Sequence, residues 1–157
     1  MSWDLIMHVN YCEQGQTIEE ICKKAVDWGY DGVEFRRKRS GVDETEEEYL
    51  DAIAKGVEKS GLKLVLFGGP GPDLTISDAS ERESEIEKAI NFYRLASERF
   101  KLTVCNTFAG TLMNTNKEIP YAQYDTHGSA AAAQDQWTCA AEGFKALGKL
   151  AEELDFR

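Results

Sequence analysis

The first feature with chemical potential is a carboxylate that closes an apolar strand beside a run of cations. In Gly29-Tyr30-Asp31-Gly32-Val33-Glu34-Phe35-Arg36-Arg37 a helical pattern ends on glycine and passes into a short apolar strand tipped by Glu34 and Arg36. An unpaired carboxylate buried in such a run would cost roughly 2–7 kcal/mol or more, so the strand tip is expected to face a polar site. Strand alternation places Glu34 and Arg36 on one face. Two other apolar runs end the same way, one in Asn10 and Tyr11, the other in Asn106, Thr107 and Phe108. Asn106 and Phe108 share a face by the same alternation. A carboxylate, a guanidinium, an amide and two rings suit a small polar ligand. The competing reading of Glu34 is a surface carboxylate paired with Arg36 or Lys38.

Other residues of chemical interest are read as structural. His8 lies inside a strand pattern, where a lone histidine is more often a hydrogen-bonded core residue than a ligand. The cluster Arg36-Arg37-Lys38-Arg39 reads as a solvated loop, although a basic strand tip suits a phosphate or carboxylate on a small substrate. Gly68-Gly69-Pro70-Gly71-Pro72-Asp73 is not read as a phosphate loop, because prolines remove N–H donors and no Gly-Lys-Ser/Thr follows. The four cysteines, Cys12, Cys22, Cys105 and Cys139, show no paired ligand spacing and are expected to be mostly reduced, buried and inert.

These strand tips need helices to hold them. Thr17 with Glu20, Thr45 with Glu48 and Ser80 with Glu83 have capping-box spacing. Each opens an apolar stripe at helical period: Ile18, Ile21, Cys22, Ala25 and Val26; then Leu50, Ile53, Ala54 and Val57; then Ile86, Ala89, Ile90, Tyr93, Ala96 and Phe100. Gly29 and Gly61 stop the first two. Apolar strands run over Leu5–Tyr11, through Val33–Phe35, over Leu62–Phe67 and over Leu102–Asn106. A polar excursion from Ala109 to about Gln134 follows, of a length that is usually functional or disordered. Trp137, Ala140, Ala141, Phe144, Leu147, Ala151 and Leu154 then predict a last helix, and Arg157 stands where another strand is expected.

The order β-α-β-α-β-α-β-α, with apolar strands, predicts parallel strands joined by right-handed crossovers. The architecture is α/β, either a (β/α) barrel of which about four units are present or an open doubly wound parallel sheet. Ligands meet the carboxyl ends of the strands in both. A full barrel takes eight units and roughly 250 residues, whereas this chain has 157.

Bulk properties exclude several classes. A net charge of −10 argues against neutralising nucleic-acid phosphates. No apolar run approaches membrane-spanning length and no signal-peptide pattern opens the chain, so a cytoplasmic protein without a membrane partner is expected. An apolar fraction of 42% and a charged fraction of 29% fit one ordinary globular domain over residues 1–157.

The helix followed by Gly29-Tyr30-Asp31-Gly32-Val33-Glu34-Phe35 resembles the first helix and second strand of the sugar phosphate isomerase and epimerase group with a xylose-isomerase-like TIM barrel. The likeness extends in pattern over the whole chain and covers the N-terminal half of such a barrel. It implies that Glu34 points into the site, that Tyr11 is an aromatic wall, and that Asn106 and Phe108 line the fourth strand's tip, with Arg36 beside Glu34. It implies a small-molecule carbohydrate or polyol as ligand, and aldose–ketose isomerisation or epimerisation through an enediolate in the full-length parent. The divalent metal (Mn, Mg, Co or Zn) of that parent is held from strands five to eight, so no metal ligand or catalytic residue is assigned here. Related DNA-repair endonucleases place histidines at strands three and four, regions that Phe67, Gly68, Asn106 and Phe108 occupy here, which disfavours their chemistry. The expectation is an inactive half barrel from a truncated gene, prone to homo-oligomerise through exposed edges. The alternative is a non-catalytic small-molecule-binding or interaction module with an open α/β sheet.

Overall fold

Local capping chemistry sets where the helices begin. The structure, a computed structural model, describes residues 3–9, 15–37, 43–69, 72–76, 78–107, 109 and 130–157, the last segment by backbone alone over 130–133. Helix α1 (Ile18–Asp27) starts at Thr17, whose hydroxyl accepts from Glu20 N at 3.2 Å while Glu20 Oε2 accepts from Thr17 N at 2.8 Å. Helix α2 (Glu46–Ser60) repeats this with Thr45 and Glu48 at 3.1 and 2.8 Å. Both boxes satisfy backbone donors that a helix otherwise leaves open. Gly29 and Gly61 follow these helices at φ of 82° and 73°, a region that costs other residues steric strain.

The third helix departs from expectation. Helix α3 (Ala79–Ser97) is capped by Asp78, which accepts from Glu81 N at 2.9 Å, and not by Ser80 with Glu83. Aspartate caps as well as serine, and it arrives two residues earlier in the chain. Helix α4 (Ala130–Leu154) differs in which face it buries. Ala140, Gly143, Leu147 and Leu150 turn inward, whereas Trp137 and Phe144, expected in the core, are 58% and 42% exposed. Gly143 explains the rotation. A Cβ there would come within 2.6 Å of Leu74 Cδ2, so this position is where the helix approaches its neighbour closely. Val26, expected on the α1 stripe, is also exposed.

Strands β1 (Ile6–His8), β2 (Gly32–Arg36) and β3 (Leu64–Gly68) form one parallel sheet in that order. The register aligns Ile6, Gly32 and Leu64, and two residues on it aligns His8, Glu34 and Leu66. Leu102–Asn106, expected as a full fourth strand, makes a single parallel bridge, Phe67 to Cys105, with Asn106 N donating to Phe67 O at 2.8 Å. On its other side Arg157 N donates to Thr103 O at 3.0 Å and Cys105 N donates to Arg157 O at 2.7 Å.

The two faces of the sheet are unlike. Met7, Val9, Val33, Phe35, Val65 and Phe67 are buried on the helix side, where Phe67 meets Phe92 edge-on at 5.3 Å. Ile6, His8, Glu34, Arg36, Leu64 and Leu66 point the other way and are only partly buried. A doubly wound sheet would cover both faces with helices. Among the described residues the helices cover one, which is the arrangement of a barrel wall and sets the open-sheet alternative aside.

Asp31 ties the opposite, N-terminal ends of the strands. Its carboxylate accepts from Leu5 N at 3.0 Å and from Lys63 Nζ at 3.2 Å, and its backbone carbonyl accepts from Lys63 N and Leu64 N. The hydrogen bond from Leu5, and then the one from Lys63, holds the Asp31 carboxyl below its ordinary pKa. Within the Gly-Tyr-Asp-Gly-Val-Glu motif, aspartate fastens the base of the sheet and glutamate faces the site.

Candidate functional site

The site is built from the bare face of the sheet, at its C-terminal ends. His8, Glu34 and Leu66 form one row across β1, β2 and β3. Arg36 and Gly68 pair in the next row. The Phe67–Cys105 bridge carries this row on to the exposed Asn106, one residue further along the same register. Glu34, Arg36 and Asn106 therefore share one face, as strand alternation predicts. Tyr11 and Phe108, assigned to the same site from sequence, lie outside the described residues.

Glu34 is placed by two neighbours that the sequence reading did not select. One is His8, whose Nδ1 lies 3.5 Å from Glu34 Oε2, with the two side chains 40% and 21% exposed. His8 is thus no core histidine: it stands on the site face beside a carboxylate. The other is Gly68, one strand further on. A Cβ at Gly68 would collide with Glu34 Oε1 and lie 2.9 Å from Glu34 Cδ, so the carboxylate occupies the space that a side chain would fill. In that seat Oε1 is buried and has no hydrogen-bond partner among the described residues. A buried carboxylate oxygen without a donor carries a full desolvation penalty, about 1–3 kcal/mol or more. Among the described residues His8, and not Arg36, is the ion-pair neighbour of Glu34; Lys38, the other partner considered from sequence, lies outside the described residues.

The strand tip itself is anchored from behind. Tyr49, buried on α2, donates its hydroxyl to the backbone carbonyl of Arg36 at 3.1 Å. Tyr49 sits in the first turn of α2, so α2 fixes the tip that carries Arg36.

Other groups near the strand ends offer less chemistry. Burial pushes the Cys105 thiol up to about 12 and the Cys22 thiol up to about 11, which makes poor nucleophiles of both. Cys22, Cys105 and Cys139 are free. A cavity of about 170 Å³ lies between the Cys105 segment and α4, lined by Tyr93, Phe144, Leu147 and Phe156, but it is apolar and on the helix side. Among the described residues no group of three or more His, Cys, Asp or Glu could hold a metal ion. His8 and Glu34 make only a pair, so the divalent metal implied by resemblance does not fit the described residues of this chain. Among the described residues, no helix is long and apolar enough to cross a membrane.

Three strands with helices on one side and carboxylate chemistry at the C-terminal ends describe part of a barrel, and the comparisons agree. A profile described as xylose isomerase-like TIM barrel matches residues 22–157. The chain belongs to that family. Among solved structures, the barrel wall superimposes on a D-psicose 3-epimerase crystallised in the presence of D-fructose, with a TM-score of 0.67 at 14% identity. The match covers 99% of this chain and 50% of that one, so the chain spans half the length of this structural relative. None of the curated proteins matches the sequence. Family membership gives the bare face its meaning: it is the side that a closed barrel turns toward its axis.

Proposed function

We propose that the chain is the substrate-binding wall of a sugar or sugar phosphate isomerase or epimerase, and that it holds a polyol on the inner face through Glu34, Arg36 and Asn106. Tyr11 and Phe108, by their places at the ends of two strand patterns, are assigned to the same site as walls for the sugar. The observation that carries this reading is the Glu34 carboxylate on the bare inner face, seated over Gly68 beside His8 with its side chain still 21% exposed, an acceptor that a ligand hydroxyl can reach. The family and a structural relative that acts on a ketohexose support it.

Isomerisation and epimerisation of such substrates pass a proton through an enediolate and need an acid and a base with pKa values tuned to the working pH. Glu34 is the one carboxylate of the His8–Glu34–Leu66 row. Its part is to bind and orient a hydroxyl, and the proton-transfer groups belong to the remainder of a complete barrel. The described residues do not form a holder for the divalent metal of the parent reaction. Exposed Leu5 and Val104, beside the first strand and in the fourth strand's segment, support self-association of the chain through its barrel edges, which sedimentation equilibrium measures directly.

The test is to incubate the chain with D-fructose, with and without Mn, Mg, Co or Zn ions, and to separate the products chromatographically. No conversion is expected. Sustained turnover that is abolished by Glu34→Gln would make Glu34 a proton-transfer group and overturn its assignment as a binding residue.

A further inference from the structure

A buried tyrosine usually finds a hydrogen-bond partner for its hydroxyl. Tyr93 of α3 is 3% exposed, and among the described residues no group bonds its hydroxyl. Its ring is packed in place, with centroids 5.8 Å from Phe92 and 5.9 Å from Phe156. Burial holds the hydroxyl well above its ordinary pKa, so it stays a neutral O–H donor. Tyr93 lines the cavity of about 170 Å³ that separates the Cys105 segment from α4. Cys105, Phe144, Leu147, Ala151 and Phe156 make most of the remaining wall. An apolar cavity of about 150 Å³ stays dry in water and takes a benzene-sized guest. This one is therefore large enough for a single ring with a small substituent. Phe144 on its wall is 42% exposed, which leaves a way in from solvent.

We propose that this cavity is a second ligand site, for a neutral single-ring molecule carrying one hydrogen-bonding oxygen, with Tyr93 as the donor that orients it. The site lies on the helix side of the sheet, behind the face that carries Glu34, and it does not depend on the polyol reading. The ring would replace empty space against apolar walls, and its oxygen would supply the acceptor that the Tyr93 hydroxyl lacks. Arg157 also lines the cavity but is exposed. A charged ligand would have to shed its water among the apolar side chains, which is costly, whereas a phenol-like molecule sheds little.

The probes are phenol and benzene, titrated into the labelled whole chain and followed by amide NMR. Both should bind, with shifts centred on Tyr93, Cys105, Leu147 and Phe156. Tyr93→Phe keeps the ring and removes only the hydroxyl. It should leave benzene affinity within about twofold and lower the affinity for phenol relative to benzene about three- to tenfold, the worth of one neutral hydrogen bond. Gly148→Phe should abolish binding of both probes. Gly148 lines the same cavity, and a Cβ there would meet nothing within 4 Å, so the new ring starts without a clash and occupies the space. Replacing a helical glycine also favours the helix, so this variant should fold. Binding of neither probe to the wild type overturns the inference, as do shifts centred elsewhere or binding that Gly148→Phe leaves unchanged. An unchanged phenol-to-benzene ratio in Tyr93→Phe removes the hydroxyl from recognition and overturns it as well.

Discussion

Replacing Gly68 by alanine should cost stability only while Glu34 is present. The added Cβ would collide with Oε1 and stand 2.9 Å from Cδ and 3.2 Å from Cγ of that side chain. Glu34 must then leave its rotamer or push β3 aside. Overpacking of this kind costs about 1–3 kcal/mol, and an off-rotamer torsion alone about 0.5–1.5 kcal/mol. In a Glu34→Ala background the obstacle is gone, and Gly→Ala within a strand should gain roughly 0.5–1 kcal/mol. The sign of the Gly68 substitution thus reverses between backgrounds. The Glu34→Ala change by itself should be neutral or stabilising, because it removes a buried oxygen with no donor, worth about 1–3 kcal/mol, against an ion-pair contact with His8 worth about 0–1 kcal/mol. Urea denaturation of the four proteins, followed by far-UV circular dichroism, measures the cycle. The expected coupling, the sum of these two effects, is about 1.5–4 kcal/mol, from the upper part of the range for residues in contact to somewhat above it. A coupling below about 0.5 kcal/mol, the scatter of independent sites, would refute the seating of Glu34 over Gly68.

Other outcomes follow from the caps, the carboxylates and the thiols. Asp78→Ala should destabilise the chain by about 0.5–2 kcal/mol, whereas Ser80→Ala should be nearly silent; the reverse order in denaturant midpoints would restore Ser80 as the cap. Hydrogen bonds from Thr17 and Thr45 hold the Glu20 and Glu48 carboxyls below their ordinary value of 4.5. Each stabilises the fold above that value and loses its contribution as pH falls through the lowered one. A Glu20→Gln/Glu48→Gln double variant should therefore show a shallower loss of stability on acidification in urea melts at successive pH values. Among the described cysteines, Cys139 should react with iodoacetamide at pH 8 before Cys22 and Cys105, whose thiols burial protects, as peptide mapping after timed labelling would show.

What could be read in the sequence was local. Thr17-Ile18-Glu19-Glu20 and Thr45-Glu46-Glu47-Glu48 state their capping boxes within four residues, and the structure forms both. Strand alternation placed Glu34 and Arg36 on one face because the period of two does not depend on partners. The face of α4 was not legible. Its stripe mixes three alanines with the large Trp137 and Phe144, which by size alone point to the wrong inward side, and the contact that orients it is between Gly143 and Leu74, far apart in the chain. The site was half legible for the same reason. Glu34 announced itself as a charge in an apolar strand, but His8 and Gly68 became its neighbours only through the register of three strands. A histidine in a strand and a glycine after one are ordinary until the sheet brings them to the same carboxylate. The one usable signal was that His8 and Glu34 are each a polar residue set inside a short apolar run.

The central claim is that the inner face around Glu34 is where this chain holds a polyol. A crystal of the chain soaked in D-fructose tests it most directly. The account predicts density on the open face of the sheet, with a ligand hydroxyl within hydrogen-bond reach of the Glu34 carboxylate and the sugar extending toward Arg36 and Asn106. Ligand seated instead in the apolar cavity between Cys105 and Phe144, with Glu34 untouched, would contradict it.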